Sequence, residues 1–271
     1  MADAAKMEKR TALITGASAG IGAAIARVFA TNGFDLVLTA RRADRLEALA
    51  AELRAAHGCT VHVIAADLAD PGAPARLFDE VARQGIAVDA LVNNAGYGLP
   101  GGFLRSSWDQ HRDFIQVMVT AVAELCYRFA PGMAERQRGW IINVASTAGL
   151  VPGSAGHTLY GAAKSLVIRF SESLALELRP RGVNVTALCP GFTYSEFHDV
   201  NDMRAQVSRL PKWMWMDADT VARQAYDAVM RGDVVYVNGR MNRTTVLLAR
   251  HAPNWLINKV LKRFAKKFRR V

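Results

Sequence analysis

The sequence has little with which to hold a metal, cross a membrane or build a disulfide framework. Its three cysteines, Cys59, Cys126 and Cys189, are odd in number, far apart and set in apolar surroundings. They read as free buried thiols, which excludes a disulfide scaffold and a thiolate metal site and implies a reducing compartment. No apolar run approaches the ~18 residues that a membrane-spanning helix needs. The opening MADAAKMEKR lacks the apolar stretch of a secretory signal, so a cytoplasmic protein is expected. Acid is missing from the last thirteen residues, where Lys259, Lys262, Arg263, Lys266, Lys267, Arg269 and Arg270 supply +7 of the formal net charge of +10. Residues 1–258 carry only +3, so the basic balance belongs to one end of the chain.

What is present is a chain of 271 residues, 51% hydrophobic and 21% charged. That suits one large α/β domain better than two small ones. Short β-branched runs at 11–15, 35–39, 60–65, 89–94, 140–146 and 183–189 read as buried parallel strands. Between them, segments such as 44–57 and 73–84 are rich in Ala, Leu, Arg and Glu and read as helices. A helical stretch over 217–231 leads to a seventh strand at 234–238. This alternation predicts a single Rossmann-type, doubly wound parallel sheet of seven strands with helices on both faces. The catalytic domain is expected to span residues 8–252, with no internal repeat or linker.

The first strand runs into TGASAGIG, residues 15–22, which places Gly16, Gly20 and Gly22 in a G-x3-G-x-G spacing. A diphosphate packed on a helix N-terminus needs backbone that approaches closely, and only glycine lacks the obstructing Cβ. A plain tight turn is the alternative, and the position between first strand and first helix argues for the phosphate cradle. The second strand ends in LTARR. Enzymes that hold NAD in this fold place an acid there for the ribose 2′-hydroxyl. Here Ala40, Arg41 and Arg42 stand instead; Arg41 is suited to grip a 2′-phosphate, and Ser18 adds a hydroxyl. The cofactor expected is NADP.

Tyr160 and Lys164 are four apart in a helical pattern and share a face. A phenol titrates near 10 in water, and a nearby ammonium lowers that value. Such a pair suits proton exchange with a carbonyl or alcohol oxygen. Alone the spacing is weak; with Ser146 fourteen residues upstream it gains weight.

TGASAGIG, NNAG at 93–96, Ser146, YGAAK at 160–164 and CPGFTYSEF at 189–197 together resemble, in order and spacing, the short-chain dehydrogenase/reductase family. The resemblance runs from about residue 10 to 250. It points to the branch holding bacterial oxidoreductases and 3-oxoacyl and hydroxysteroid enzymes. It implies that Ser146 anchors the reacting oxygen, that Tyr160 is acid and base, and that Lys164 activates Tyr160. It further implies a cofactor groove lined by Gly16, Ser18, Gly20, Ile21, Gly22, Arg41, Arg42, Asp67, Leu68, Asn93, Ala95, Gly96, Tyr160, Lys164, Pro190, Gly191 and Thr193. A homo-oligomer built on the helices carrying residues 118 and 160 is implied as well, and no metal.

One position departs from the family. In IQVMVTAV, residues 115–122, Met118 stands where the family has an Asn that holds a water linking the active lysine to solvent. A thioether accepts weakly and donates nothing. Either the relay is rebuilt from backbone, water, Gln116 or Thr120, or turnover is reduced while the cofactor still binds. An impaired or specialised enzyme is expected rather than an inactive one.

By the same resemblance, residues 192–216 form a lid over the substrate. They include Phe192, Tyr194, Phe197, Met203, Trp213, Met214, Trp215 and Met216. Large adaptable apolar side chains suit a hydrophobic ketone or secondary alcohol. WMWM packing into the core or a subunit contact is the alternative. His157 reads as a polar loop residue. Residues 253–271 carry Ile257, Val260, Leu261, Phe264 and Phe268 at helical spacing opposite the cations. This basic amphipathic segment suits a membrane surface, the protein's own core or an acidic carrier protein. No nucleic-acid motif accompanies it. The reading is an NADP(H)-dependent oxidoreductase. A membrane-associated cofactor sensor or scaffold of low turnover, and a carrier-protein-linked 3-oxoacyl reductase, are the alternatives.

Overall fold

A computed structural model describes residues 9–99, 101–153, 158–194 and 211–251. Seven strands, β1 (Arg10–Thr15), β2 (Phe34–Thr39), β3 (Val61–Val63), β4 (Val88–Asn93), β5 (Gly139–Val144), β6 (Val183–Cys189) and β7 (Val235–Val237), form one sheet. Its order is β3-β2-β1-β4-β5-β6-β7, and every pairing is parallel. The helices are α1 (Gly20–Thr31), α2 (Ala43–His57), α3 (Ala73–Arg83), α4 (Trp108–Ile115), α5 (Ala121–Glu135), α6 (Thr158–Leu178), α7 (Ala218–Arg231) and α8 (Arg240–His251).

The predicted doubly wound sheet is present. Its strands are apolar on both faces because helices cover both. On β1, Ala12 and Ile14 join one core with α1, α2 and α7, while Leu13 joins the other with α3 and α5. β2 repeats the division, with Leu36 and Leu38 on one side and Val37 on the other. Each fully buried leucine or isoleucine contributes about 1.5–3 kcal/mol of transfer free energy. Phe29 and Phe34 meet edge to face at 5.0 Å, and Arg10 lays its guanidinium over Phe34 at 4.3 Å.

Three strands are shorter than the sequence predicts, and of these β7 keeps only Val235–Val237 of the expected 234–238. β3 stops at Val63, although the Ile64 and Ala66 amides still bond to the Leu38 and Ala40 carbonyls at 3.0 and 3.1 Å. β5 stops at Val144; Ala145 keeps one sheet bond, and Ser146 turns away to cap a short 3-10 turn. Strand order reverses between β1 and β4, which leave the sheet in opposite lateral directions. That switch point opens a crevice beyond the strands' carboxyl ends. The glycine-rich turn, Asn93 to Gly96, Ser146 and Pro190 all follow strands at this edge.

Candidate active site

The turn after β1 takes its shape from glycine. Gly16 has φ +66° and Gly20 φ +56°, both in the left-handed region. Gly22 answers to a different constraint: a Cβ there would run into the carbonyl oxygen of Gly16. The first turn of α1 therefore rests directly on the backbone it follows. Ala19 precedes α1 as its N-cap and offers no side-chain cap, and the helix has no acid in its first turn. An uncapped, acid-free helix start beside close-approaching backbone fits a phosphate. Ile21 is the partly buried side chain between the last two glycines.

Asn94 holds this turn in place. Its amide nitrogen donates to the Thr15 carbonyl at 2.9 Å and the Gly16 carbonyl at 3.2 Å. Thr15 Oγ1 accepts in return from the Asn94 and Ala95 amides at 2.9 and 3.0 Å. Asn94 is a functional residue that the sequence-based expectation did not include; the NN pair at 93–94 was the signal for it. Asn93 instead directs its side chain into the core, donating to Asn143 at 2.8 Å and lying 3.3 Å from the Cys126 sulfur. Burial pushes that thiol up to about 12, so Cys126 is an unreactive core group.

The two arginines after β2 divide the work. Arg42 donates to Ser18 Oγ at 3.1 Å and so ties the end of β2 to the glycine-rich turn. Arg41 is exposed beside it. At the next strand end, Asp67 is exposed and accepts from the Ala69 amide at 3.0 Å, while Leu68 is buried beneath it. These positions fit an adenosine bearing a phosphate: a cation and no acid at the end of β2, and an apolar floor at Leu68 with Asp67 beside it after β3.

Ser146, Tyr160 and Lys164 come together from β5 and α6. The Ser146 hydroxyl accepts from the Ala148 amide at 3.1 Å and shares a hydrogen bond with Tyr160. Loss of water around Tyr160 holds its pKa above the usual phenol value, and the Ser146 contact pulls it back in part. Lys164 is buried and donates to the Val144 carbonyl at 2.6 Å. Burial pushes its ammonium down to about 8. The expected lowering of the Tyr160 pKa by Lys164 is therefore not the dominant influence: desolvation is, and Nζ lies 5.9 Å from the ring centre.

Met118 is almost fully buried with Phe114 and Ala163, and Tyr97, Leu99, Leu159 and Tyr160 pack against the group. Its sulfur would lie 2.8 Å from a Cβ on Gly96, so it fills the space beside the β4 loop. Residues Gln116–Thr120 form a π-helical turn, a widening found often at functional sites. Gln116 and Thr120 line a separate hollow of about 420 Å³ with Trp108, Arg112, Asp113 and Pro71. Both side chains line that hollow, and neither belongs to the group packed around Met118.

Past β6, the Pro190 carbonyl accepts from the Thr147 amide at 3.0 Å. Gly191 presses on Asn242 of α8, where a Cβ would lie 2.5 Å from the amide nitrogen. Thr193 is buried and pairs with Met216 through backbone bonds on both sides, at 2.9 Å each. Trp215 stacks on Tyr194 at 4.8 Å and tilts against Phe192 at 5.6 Å, while Trp213 is exposed. His157, Phe197 and Met203, like the stretch 253–271, lie outside the described residues. Among the described residues no His, Cys, Asp and Glu cluster suits a metal ion.

A parallel sheet with a glycine-rich turn and an uncapped helix start at its switch point, and a Ser-Tyr-Lys cluster beside it, is the arrangement of a dinucleotide-type oxidoreductase. Residues 10–205 match the short chain dehydrogenase family, and the chain belongs to it. An oxidoreductase of Myxococcus xanthus is 34% identical over 84% of this chain and 87% of its own length. A short-chain dehydrogenase from Sphingobium yanoikuyae, solved in complex with NADPH, is 35% identical with a TM-score of 0.80, covering 88% of this chain and 91% of that one. The bulky-bulky ketone specific alcohol dehydrogenase from Comamonas testosteroni is 32% identical with a TM-score of 0.75, covering 89% and 92%.

Proposed function

We propose that this enzyme interconverts a hydrophobic ketone and its secondary alcohol, using NADP(H). The observation that carries the reading is the Ser146–Tyr160 hydrogen bond beside buried Lys164, at the same sheet edge as the glycine-rich turn. The similar Sphingobium enzyme with NADPH, and the absence of an acid between Ala40 and Arg42, support the choice of cofactor. Bound NADP(H) supplies or accepts the hydride.

The chain's own residues supply the rest. Ser146 holds the substrate oxygen by a hydrogen bond and fixes its position. Tyr160 donates its proton to that oxygen in reduction and takes one from the alcohol in oxidation. A raised phenol pKa keeps Tyr160 protonated at neutral pH, which favours ketone reduction. Lys164 sits with its Nζ 5.9 Å from the Tyr160 ring centre, and its value near 8 lets its charge vary in the working range. The Phe192, Tyr194 and Trp215 stack supports an apolar substrate. Exposed Tyr127 and Leu176 on α5 and α6 support a homo-oligomer on those helices.

NADPH consumption against a panel of bulky apolar ketones and 3-oxoacyl thioesters tests the reading, with NADPH binding followed by fluorescence in the same samples. Turnover that falls at least a hundredfold in Tyr160→Phe, with NADPH binding intact, is expected. Tight binding without turnover on any member would favour a cofactor sensor. Acceleration by acyl carrier protein, fading with salt, would favour the carrier-linked reductase.

A further inference from the structure

Met216 ties two stretches of chain together. Its backbone N–H donates to the Phe192 carbonyl and its carbonyl accepts from the Tyr194 amide, both at 2.9 Å, so it brackets buried Thr193. Its side chain enters a slot. The Met216 sulfur lies 3.6 Å from the Asn242 amide nitrogen, and a Cβ on Gly239 would stand 2.9 Å from the same sulfur. Gly239 has φ +80°, so the slot needs glycine there for both room and backbone angle. On the other side of Asn242, a Cβ on Gly191 would meet the amide group itself. Two glycines thus flank one thioether–amide contact.

The Asn242 amide also donates to the Asn238 carbonyl at 2.8 Å. Asn238 is fully buried; its side chain donates to Gln224 of α7 at 3.1 Å, and its backbone N–H to the Cys189 carbonyl at 3.3 Å. Support therefore runs from β6 and α7 through the start of α8 to Met216. What Met216 carries is the aromatic stack: Trp215 precedes it, and Phe192 and Tyr194 are the residues it bonds. The Phe192 arm adjoins the Ser146–Tyr160 pair, because the Pro190 carbonyl accepts from Thr147, the residue after Ser146.

We infer that Asn242 is a positioning residue for the substrate: by donating to the Asn238 carbonyl and the Met216 sulfur, it fixes the stack of Phe192, Tyr194 and Trp215 on which an apolar substrate packs. The inference rests on the hydrophobic-ketone reading. A primary amide has two N–H donors, and here one goes to a carbonyl and the other to the thioether. A thioether accepts weakly, so that contact aims the Met216 side chain while the Gly239 slot confines it. Two backbone bonds join Met216 to the residues on either side of Thr193, so a shift of Met216 is a shift of the stack. The cofactor's phosphate end is spared. The glycine-rich turn and Arg41 follow β1 and β2, across the switch point from β6.

Two measurements on the full chain test it. Hydrogen exchange of the NADPH complex reads the anchor. Calorimetric titration of butyrophenone into the NADP+ complex, which cannot reduce it, reads substrate fit without turnover. In Asn242→Ala the Tyr194 and Met216 amides should exchange about tenfold faster. Butyrophenone should bind about fivefold more weakly, with its KM raised alike and kcat within about twofold of wild type. NADPH affinity should stay within about twofold, because its phosphate end is remote from position 242. Asn242→Asp keeps the shape but cannot donate, and should behave as Asn242→Ala does. Unchanged exchange in Asn242→Ala overturns the inference. So does faster exchange with butyrophenone affinity and KM unchanged, which would leave Asn242 a structural residue only. Wild-type behaviour of Asn242→Asp would overturn the part given to the amide's hydrogen bonds. Failure of the ketone reading itself would show in the wild type, as neither binding nor reduction of any ketone. That result would overturn the substrate role, while exchange would still decide whether Asn242 holds Met216.

Discussion

Lys164 Nζ lies 2.6 Å from the carbonyl oxygen of Val144, the last residue of β5. The bond fixes the lysine where the strand ends and Ser146 begins its turn, so helix α6 and strand β5 meet at the Ser146–Tyr160 pair. Lys164 is also drawn down to about 8 by burial, offset in small part by Cys189.

A buried lysine depressed in this way leaves a signature in stability. Between about 8 and the ordinary value of 10.5 the unfolded chain holds a proton that the folded chain has released. Stability therefore rises with pH across that window. In Lys164→Met the contribution is absent. The difference in unfolding free energy, wild type minus variant, should increase by up to about 3 kcal/mol from pH 8 to 10.5. Urea unfolding of both proteins across that range measures it; a flat difference would show that Lys164 is not depressed.

Gly22→Ala should damage the cofactor groove from within. The new Cβ meets the Gly16 carbonyl, which is main chain and cannot rotate aside. The turn must open, and the α1 amides move from the position that a phosphate requires. NADPH affinity should fall at least tenfold and stability by about 1–3 kcal/mol. Fluorescence titration and denaturant unfolding read the two effects separately.

Arg41→Asp should reverse the cofactor preference. The exposed guanidinium is replaced by a carboxylate that repels a 2′-phosphate and can bond a free 2′-hydroxyl. NADPH affinity should fall on the order of a hundredfold, while NADH affinity holds or improves. Arg42→Asp should weaken both cofactors, because Arg42 braces Ser18 in the turn. Equal losses for NADPH and NADH in Arg41→Asp would place the 2′-phosphate contact elsewhere.

Met118→Asn exchanges packing for polarity. Met118 is 1% exposed among Phe114, Ala163 and Tyr160. The shorter amide loses apolar contact and leaves polar atoms to satisfy, lowering stability by about 1–3 kcal/mol. If a restored amide rebuilds a water path to Lys164, turnover should rise several-fold and its pH profile should shift. Thermal unfolding and a pH-rate series give both numbers; an unchanged profile would mean that position 118 acts only by packing.

The sequence was most legible where one element carries its own signal. Strand after strand of β-branched residues determined a parallel sheet, because only burial on both faces tolerates such runs. The spacing of Gly16, Gly20 and Gly22 determined a close-approach turn, and the i,i+4 placement of Tyr160 and Lys164 determined a shared helix face. Ends of elements were harder: Ile64 and Ala145 keep sheet hydrogen bonds beyond the strands proper.

What only the tertiary structure decided are relations between segments distant in the chain. It selected Asn94 over Asn93 to brace the glycine-rich turn, and Arg42 over Arg41 to hold Ser18. It also turned Gln116 and Thr120 toward a different hollow from Met118. The physical reason is common to all three. Local periodicity says which residues share a face, but the partner across that face arrives from another strand or helix. The burial that moves Tyr160 and Lys164 in pKa is likewise a property of everything packed around them.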